Sequence, residues 1–401
     1  MSRVAILGAG IMGAATALFL TRRGVSVTLF DRAAALVDGA SRWNEGKIHL
    51  GYLYAGDRTL ATARLVIPGG LAFRPLVEEL IEGSIAPAIS SQEDVYAIHR
   101  DSVVDPDAAA AHYDSVAALV AAAPNARYLG GAVSPPSSLT AAQLAHDYDP
   151  ERIVAAFRVA ERSVDTTWIA DRLVDALAAE PQIEVRLGVE VTGVRAARGE
   201  GDALHAPLTV DTADGADGPF DAVVNALWDG RLAVDATLGI PPPTRWSHRY
   251  RLAVFLSVDR PVAVPSTVVA TGPFGDVKNY DGHRLYLSWY PEGLRAEGVG
   301  VRPPAVPALE GAGQRRLAEA TIAKLATLIP PVQALAPFAA NGRIAGGWVY
   351  AAGQGSLADP QATLHRRADA GIQRFGRYLS VDTGKYSIAP WLARQVANAL
   401  L

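Results

Sequence analysis

His49 lies in a block, Ser41-Arg42-Trp43-Asn44-Glu45-Gly46-Lys47-Ile48-His49-Leu50-Gly51-Tyr52-Leu53-Tyr54, that follows neither a helical nor an alternating pattern. A polar, glycine-containing stretch of this kind reads as a loop, and loops on a rigid scaffold are where function concentrates. An imidazole with an unperturbed pKa of about 6.5 takes up a proton at neutral pH, so His49 has the chemistry of a general base. The other reading is a structural histidine bonded within its loop. Lys385, next to Gly384 in the loop Ser380 to Ser387, is either a solvated lysine or a second site residue. An acid or phosphate substrate calls for a guanidinium, whose fork of N–H donors matches two oxygens. Arg251, Arg284 and Arg343 lie on or beside strand-like runs, and Tyr52, Tyr54, Tyr280 and Tyr290 either line a pocket or fill the core. His365-Arg366-Arg367 reads as a solvated helix face, and no His-x-x-x-His spacing suggests a metal site.

These side chains must be positioned by elements, and the first thirty-one residues are the most legible. Arg3 to Leu7 is a short apolar run, a buried parallel strand. Gly8-Ala9-Gly10-Ile11-Met12-Gly13 follows, then helix-forming residues to Arg23, then a second apolar run ending in Asp31. Gly8 allows the tight turn, Gly10 lets backbone approach a pyrophosphate, and Gly13 lets helix and strand pack closely. The helix N-terminus offers free N–H groups to phosphate. Asp31 stands where a carboxylate accepts from ribose hydroxyls, which argues against a 2′-phosphorylated cofactor. Val4 to Leu20 is apolar enough to suggest a membrane segment, but Gly8, Gly10 and Gly13 interrupt it and its basic pair, Arg22-Arg23, follows it. The stretch binds a dinucleotide without saying which.

With 401 residues, 50% of them hydrophobic, the chain can bury a large core and is expected to form two domains. A net charge of −4 gives no general attraction to nucleic acid or anionic lipid. There is no cysteine, which removes disulfides, thiolate nucleophiles and cysteine-linked cofactors together. No integral membrane segment is expected, and the cytoplasm is the default location. Further along, Leu60 to Leu80 reads as one or two helices interrupted near Pro68-Gly69-Gly70, Thr166 to Ala179 as a helix capped by Asp165, and Leu364 to Tyr378 as a helix. Beyond Pro241-Pro242-Pro243 the runs Tyr250 to Val258, Ser266 to Ala270 and Arg284 to Tyr290 suggest an antiparallel sheet.

Three blocks together resemble the FAD-dependent oxidoreductases of the D-amino-acid oxidase superfamily: Gly8 to Gly13, the Asn44-x-Gly46-x-Ile48-His49-x-Gly51 core, and Asp382-Thr383-Gly384-Lys385-Tyr386-Ser387. The second and third are most similar to the 2-hydroxyglutarate and glycerol-3-phosphate dehydrogenase branches. The resemblance implies an α/β fold, with a Rossmann-like FAD-binding domain (residues 1–85, 151–240 and 341–401) and an interleaved antiparallel-sheet substrate domain (86–150 and 241–340). It implies that Ser41 and Asn44 lie beside the pyrophosphate and ribityl. Gly46, Lys47 and Ile48 would pass the isoalloxazine, Val191 would meet the adenine, and Asn225-Ala226 would close over the nucleotide. Gly384 and Lys385 would reach the flavin pyrimidine edge. An arginine just before the C-terminal strand of the family favours Arg343 as the anion ligand, with Arg251 and Tyr54 beside it. The Gly-His-Gly loop of amine-oxidising members is absent, as is any cysteine for covalent flavin. The implied activity is oxidation of a CH–OH bond, in second place CH–NH, of a small anionic substrate. Hydride would pass to N5 of non-covalent FAD, with His49 as base; in third place, His49 is a point of covalent flavin attachment. Two rival readings remain: a nicotinamide (NAD) dehydrogenase, and a flavin-binding redox protein without turnover.

Overall fold

The computed structural model describes residues 2–124, 126–196 and 205–401. The opening strand Arg3–Leu7 (β1) pairs in parallel with Ser26–Asp31 (β2) and, on its other side, with Ala222–Asn225. The sheet continues through Ile183–Leu187 beyond β2 and through Tyr378–Asp382 and Gly371–Phe375 at the other edge, six strands in all. Both faces are covered, so Val4, Ala5, Ile6 and Leu7 are all buried, as a continuous apolar run in a parallel sheet must be.

The helix that joins β1 to β2, Ile11–Thr21 (α1), is buried along its whole length. It packs against the helices Ala61–Ile81, Thr166–Ala178 and Ala389–Ala399. This explains its membrane-like composition, because a helix that is apolar all round is a core helix. Among the described residues no helix is long and apolar enough to cross a membrane. Gly8 turns the chain at φ +99°, and a Cβ on Gly13 would stand 1.8 Å from the Gly8 carbonyl oxygen. The expected interruption near Pro68-Gly69-Gly70 does not occur. Ala61–Ile81 runs through Pro68 and Pro75 as one helix. Gly70 instead admits the His49 backbone, whose carbonyl oxygen would lie 2.3 Å from a Cβ there.

The second, nine-stranded sheet has the order Leu294–Gly298, Ser247–Ser257, Arg284–Trp289, Gly275–Asn279, Thr267–Ala270, Val95–His99, Ile153–Arg158, Ser137–Ser138, with Arg343–Ala351 also paired to Ser247–Ser257. Side chains alternate across it. Val254, Leu256, Val277, Leu285 and Leu287 pack against the helix Gly311–Ala326 and the turns Pro330–Asn341. The other register positions, among them Arg249, Arg251, Asp276 and Tyr286, together with Tyr290 just beyond the strand Arg284–Trp289, line a cavity between this sheet and the nucleotide-type sheet.

Two strands lie across the boundaries expected from sequence. Ile153–Arg158 and Arg343–Ala351 hydrogen-bond in the nine-stranded sheet rather than the six-stranded one, so limits at 151 and 341 cut through that sheet. The helix expected over Leu364 to Tyr378 is a hairpin, Gly371–Phe375 with Tyr378–Asp382. Gly376, at φ +57°, makes its turn, and pairing of Tyr378–Asp382 with Ala222–Asn225 overrides local helix propensity.

Candidate active site

The cavity measures about 1020 Å³ and runs from Gly8, Gly10 and Asp31 to the arginine-bearing face of the large sheet. At its first end the chain is drawn tight around the turn from Gly8 to Gly10. Ser41 Oγ accepts from Ile11 N at 3.0 Å, the first residue of α1, and a Cβ on Gly10 would stand 2.8 Å from that hydroxyl. Asp31 Oδ2 accepts from Ala9 N (2.7 Å) and Oδ1 from Ala33 N (2.8 Å), which fixes the carboxylate at the end of β2. Val191, Ala226 and Leu227 line the same end. These features form a cradle of N–H groups, small residues and one carboxylate, which fits the adenosine-diphosphate half of a dinucleotide.

The loop after Ser41 leads to the centre of the cavity. Asn44 spends its side chain on the loop, donating to the Ala40 carbonyl (2.9 Å) and accepting from Gly46 N (2.8 Å). Gly46, at φ +66°, lies so close to Val164 that a Cβ would come within 1.9 Å of its carbonyl oxygen. Ile48 is buried in the core. Neither Gly46 nor Ile48 lines the cavity, whereas Glu45, Lys47 and His49 do. Lys47 is not free: its Nζ lies 2.6 Å from Asp94 Oδ2 and 3.2 Å from Tyr96 Oη. Burial opposes its charge, but Asp94 and Glu161 outweigh burial and raise its pKa. His49 is 1% exposed and its Nδ1 has no hydrogen-bond partner. Burial, and then Lys385, Lys47 and Lys278, hold its pKa well below the ordinary histidine value, so the ring is neutral. Tyr54 packs 5.8 Å from the His49 ring, and Lys385 Nζ sits 5.4 Å over the Tyr54 ring.

Among the described residues, Arg249, Arg251, Arg367 and Lys385 reach the cavity interior with no carboxylate in ion-pair distance, and the exposed Arg302 stands at its rim in the same condition. Arg249, 4% exposed, donates from Nη1 to Tyr290 Oη at 3.1 Å and leaves Nε unpartnered. Arg251 stacks over Tyr290 at 4.6 Å and donates to Ser288 Oγ at 3.2 Å. Arg367 donates to the Tyr350 carbonyl at 3.1 Å, and burial and the neighbouring Arg249 push its pKa down to about 10. Burial pushes Lys385 down to about 8; Glu45 works against this, while Arg367, Lys47 and Arg249 reinforce it. Glu45 and Asp276 are the carboxylates in this part of the lining, and burial with Glu45 nearby raises Asp276.

Arg343 is not where the resemblance put it. It is exposed, absent from the cavity lining, and lies 4.0 Å over the Trp43 ring, because it opens its strand at the outer edge. Asn225 is buried beside the sheet, bonded to Arg231 O, Asp235 and Tyr378, and does not face the cavity. Arg284 pairs with Asp165 and Asp281. Of the tyrosines, Tyr54 and Tyr290 line the cavity; Tyr52 and Tyr280 are core. His365-Arg366-Arg367 is no solvated helix face: His365 and Arg367 line the cavity and only Arg366 is exposed. Sequence reasoning missed Arg249 and Arg367. Arg249 was detectable, since it stands two residues from Arg251 on a strand and therefore on the same face. Arg367 had no local signal.

The sequence profile described as FAD dependent oxidoreductase (DAO) matches residues 3–349. The chain belongs to this family. It is an FAD-dependent oxidoreductase, and the nicotinamide and non-catalytic readings fall away. No curated protein matches the sequence. Among solved structures it is similar to glycine oxidase from Geobacillus kaustophilus, at 15% identity and TM-score 0.69, covering 100% of this chain and 95% of that one. It is also similar to NikD, an amino acid oxidase essential for nikkomycin biosynthesis (15%, TM-score 0.68, 100% and 94%). L-proline dehydrogenase from P. horikoshii matches at 16% identity and TM-score 0.64, over 100% of this chain and 93% of that one. At these identities the likeness is one of fold.

Proposed function

We propose that this oxidoreductase removes hydrogen from a CH–OH bond of a small anionic substrate. The carrying observation is two neighbouring guanidiniums on the cavity wall, Arg249 buried and Arg367 half-buried, that have no carboxylate within ion-pair distance among the described residues. Burying like charges side by side is unfavourable, so the pair is complete only when an anion joins it. Tyr290, bonded to Arg249, supplies a further O–H beside the anion, and Arg251 extends the same face.

FAD would be held non-covalently by Gly8, Gly10, Asp31, Ser41, Val191 and Ala226 at its nucleotide half. Glu45, Lys47, Gly384 and Lys385 would hold its flavin half. When bound, FAD supplies the acceptor for the hydride that leaves the substrate carbon. The remaining work belongs to the protein. Arg249 and Arg367 fix the anion, which presents the adjacent CH–OH in one orientation. His49, neutral and lining the cavity, takes the hydroxyl proton. The burial that keeps the ring neutral also excludes water from it.

A second reading, CH–NH oxidation, draws support from the similar structures, which are named as amino acid oxidases or a proline dehydrogenase. An amine substrate needs no protein base once it is neutral, so His49 separates the two. The test is anaerobic bleaching of the FAD-loaded protein by panels of 2-hydroxy acids and amino acids of matched size. Bleaching by hydroxy acids, slowed about 100-fold or more by His49→Ala, is the expected result. Bleaching by amino acids alone overturns the proposal.

A further inference from the structure

Beneath His49 lies a continuous set of buried ionisable groups that the steps above do not use. Lys278 Nζ is 2.7 Å from Asp94 Oδ2, which is 2.6 Å from Lys47 Nζ. Lys47 Nζ is 3.2 Å from Tyr96 Oη, which donates to Glu161 Oε2 at 2.5 Å. Glu161 Oε1 accepts from Leu50 N (2.6 Å) and Gly51 N (2.9 Å), the two residues after His49, and stands 4.0 Å from His49 Nδ1. All of these side chains are 0–3% exposed. Two ammonium groups face two carboxylates, so the set balances while His49 is neutral and acquires one positive charge when the ring takes a proton.

The chain places Glu161 here deliberately. Residues 46–48 run antiparallel to 162–164, with Ile48 N donating to Arg162 O and Val164 N donating to Gly46 O. Three donors then anchor the carboxylate, so its distance from the ring is set by backbone rather than by a flexible side chain. The other groups around the ring are Lys385, Lys47 and Lys278, which repel an imidazolium, and Tyr54. Glu161 is thus the carboxylate within reach of a ring that cations otherwise surround, and the unpartnered Nδ1 is the atom turned toward it.

We propose that Glu161 is a positioning residue for His49: its carboxylate selects the ring tautomer with hydrogen on Nδ1 and stabilises the imidazolium formed during turnover. This rests on the reading of His49 as proton acceptor. In the step concerned, the substrate O–H bond breaks, an N–H bond forms at Nε2, and Nδ1 keeps its hydrogen. Only a proton moves. Glu161 takes no part in the transfer and touches neither substrate nor cofactor. The logic is that of a carboxylate holding a catalytic imidazole in the useful tautomer.

The experiment is a double-mutant cycle on the FAD-loaded protein. Glu161→Gln removes the charge but keeps an acceptor oxygen for Leu50 and Gly51. It should slow anaerobic substrate bleaching about 10- to 100-fold when His49 is present and less than about 2-fold in the His49→Ala background. An equal slowing in both backgrounds makes Glu161 merely structural and overturns the inference. Glu161→Asp, combined with His49→Ala in the same way, gives the cycle a second chance if the glutamine variant fails to fold. Independently of turnover, the ¹⁵N-histidine spectrum, with His49 identified by its loss in His49→Ala, should show hydrogen on Nδ1. Hydrogen on Nε2 alone overturns the inference. If no hydroxy acid bleaches the parent protein, the proposed function fails, while the spectrum still decides the tautomer.

Discussion

Replacing Arg249 by methionine should weaken substrate capture and stabilise the protein, an opposition that a purely structural arginine cannot produce. Arg249 is 4% exposed, carries an unpartnered Nε, and is held at Nη1 by Tyr290 alone. An unmet buried donor costs about 1–3 kcal/mol. Its charge also disfavours that of Arg367, whose pKa lies near 10 with Arg249 as the second cause after burial. Methionine keeps much of the unbranched stem and removes both penalties, so substrate-free protein should gain about 1–3 kcal/mol, read as a higher denaturation midpoint. Toward substrate the sign reverses. Truncating one partner of a buried charge pair costs about 2–5 kcal/mol. Because Arg367 and Arg251 remain, the lower half of that range applies, and kcat/KM for the anionic substrate should fall about 30- to 300-fold. The loss should be carried by KM. The assay is steady-state oxidation at several substrate concentrations, beside denaturant unfolding of the same samples. An unchanged KM, or a methionine variant less stable than the parent, refutes the argument that Arg249 waits for an anion.

Asp31→Asn should weaken FAD binding about 10- to 100-fold by fluorescence titration, because a carboxylate bonded to Ala9 N and Ala33 N loses its charge and one of its acceptors. Gly13→Ala places a Cβ 1.8 Å from the Gly8 oxygen and should cost more than about 3 kcal/mol, seen as lost FAD content and a lower melting point. Lys385 has a folded pKa of about 8, below its unfolded value of about 10.4. Between these the unfolded chain holds a proton that the folded chain has released, so this group makes stability rise from pH 8 to pH 10, and its penalty is full below 8. Denaturation midpoints over that window should climb less steeply in Lys385→Met. Arg343→Ala should change KM less than about 2-fold, because the side chain is exposed and stacked on Trp43.

The nucleotide cradle was legible because its determinants are local. A strand, Gly8, Gly10, Gly13, a helix and Asp31 succeed one another within thirty residues, and each has a backbone requirement that only certain residue types meet. His49 and Lys385 were legible for a related reason, as polar residues in glycine-containing segments without periodicity, His49 between Gly46 and Gly51 and Lys385 beside Gly384. Both line the cavity. Arg343 misled because a guanidinium at a strand start looks the same in sequence whether that start meets the cavity or the solvent. Arg367 misled in the opposite direction, since its neighbours Arg366 and Asp369 are exposed and lend the segment a surface character.

The amino-acid sequence alone determined a dinucleotide cradle, through a pattern spanning thirty residues, and its resemblance to a known family implied the flavin, the mixed architecture and the loop around His49. Tertiary structure decided the substrate wall and the support beneath His49. Arg249 and Arg367 stand 118 positions apart, and Glu161 meets Leu50 across 111 residues. No periodicity connects such positions. They meet because the nine-stranded sheet closes over the loop from Ser41 to Tyr54, and whether a charge is paired, buried or spare depends on that closure.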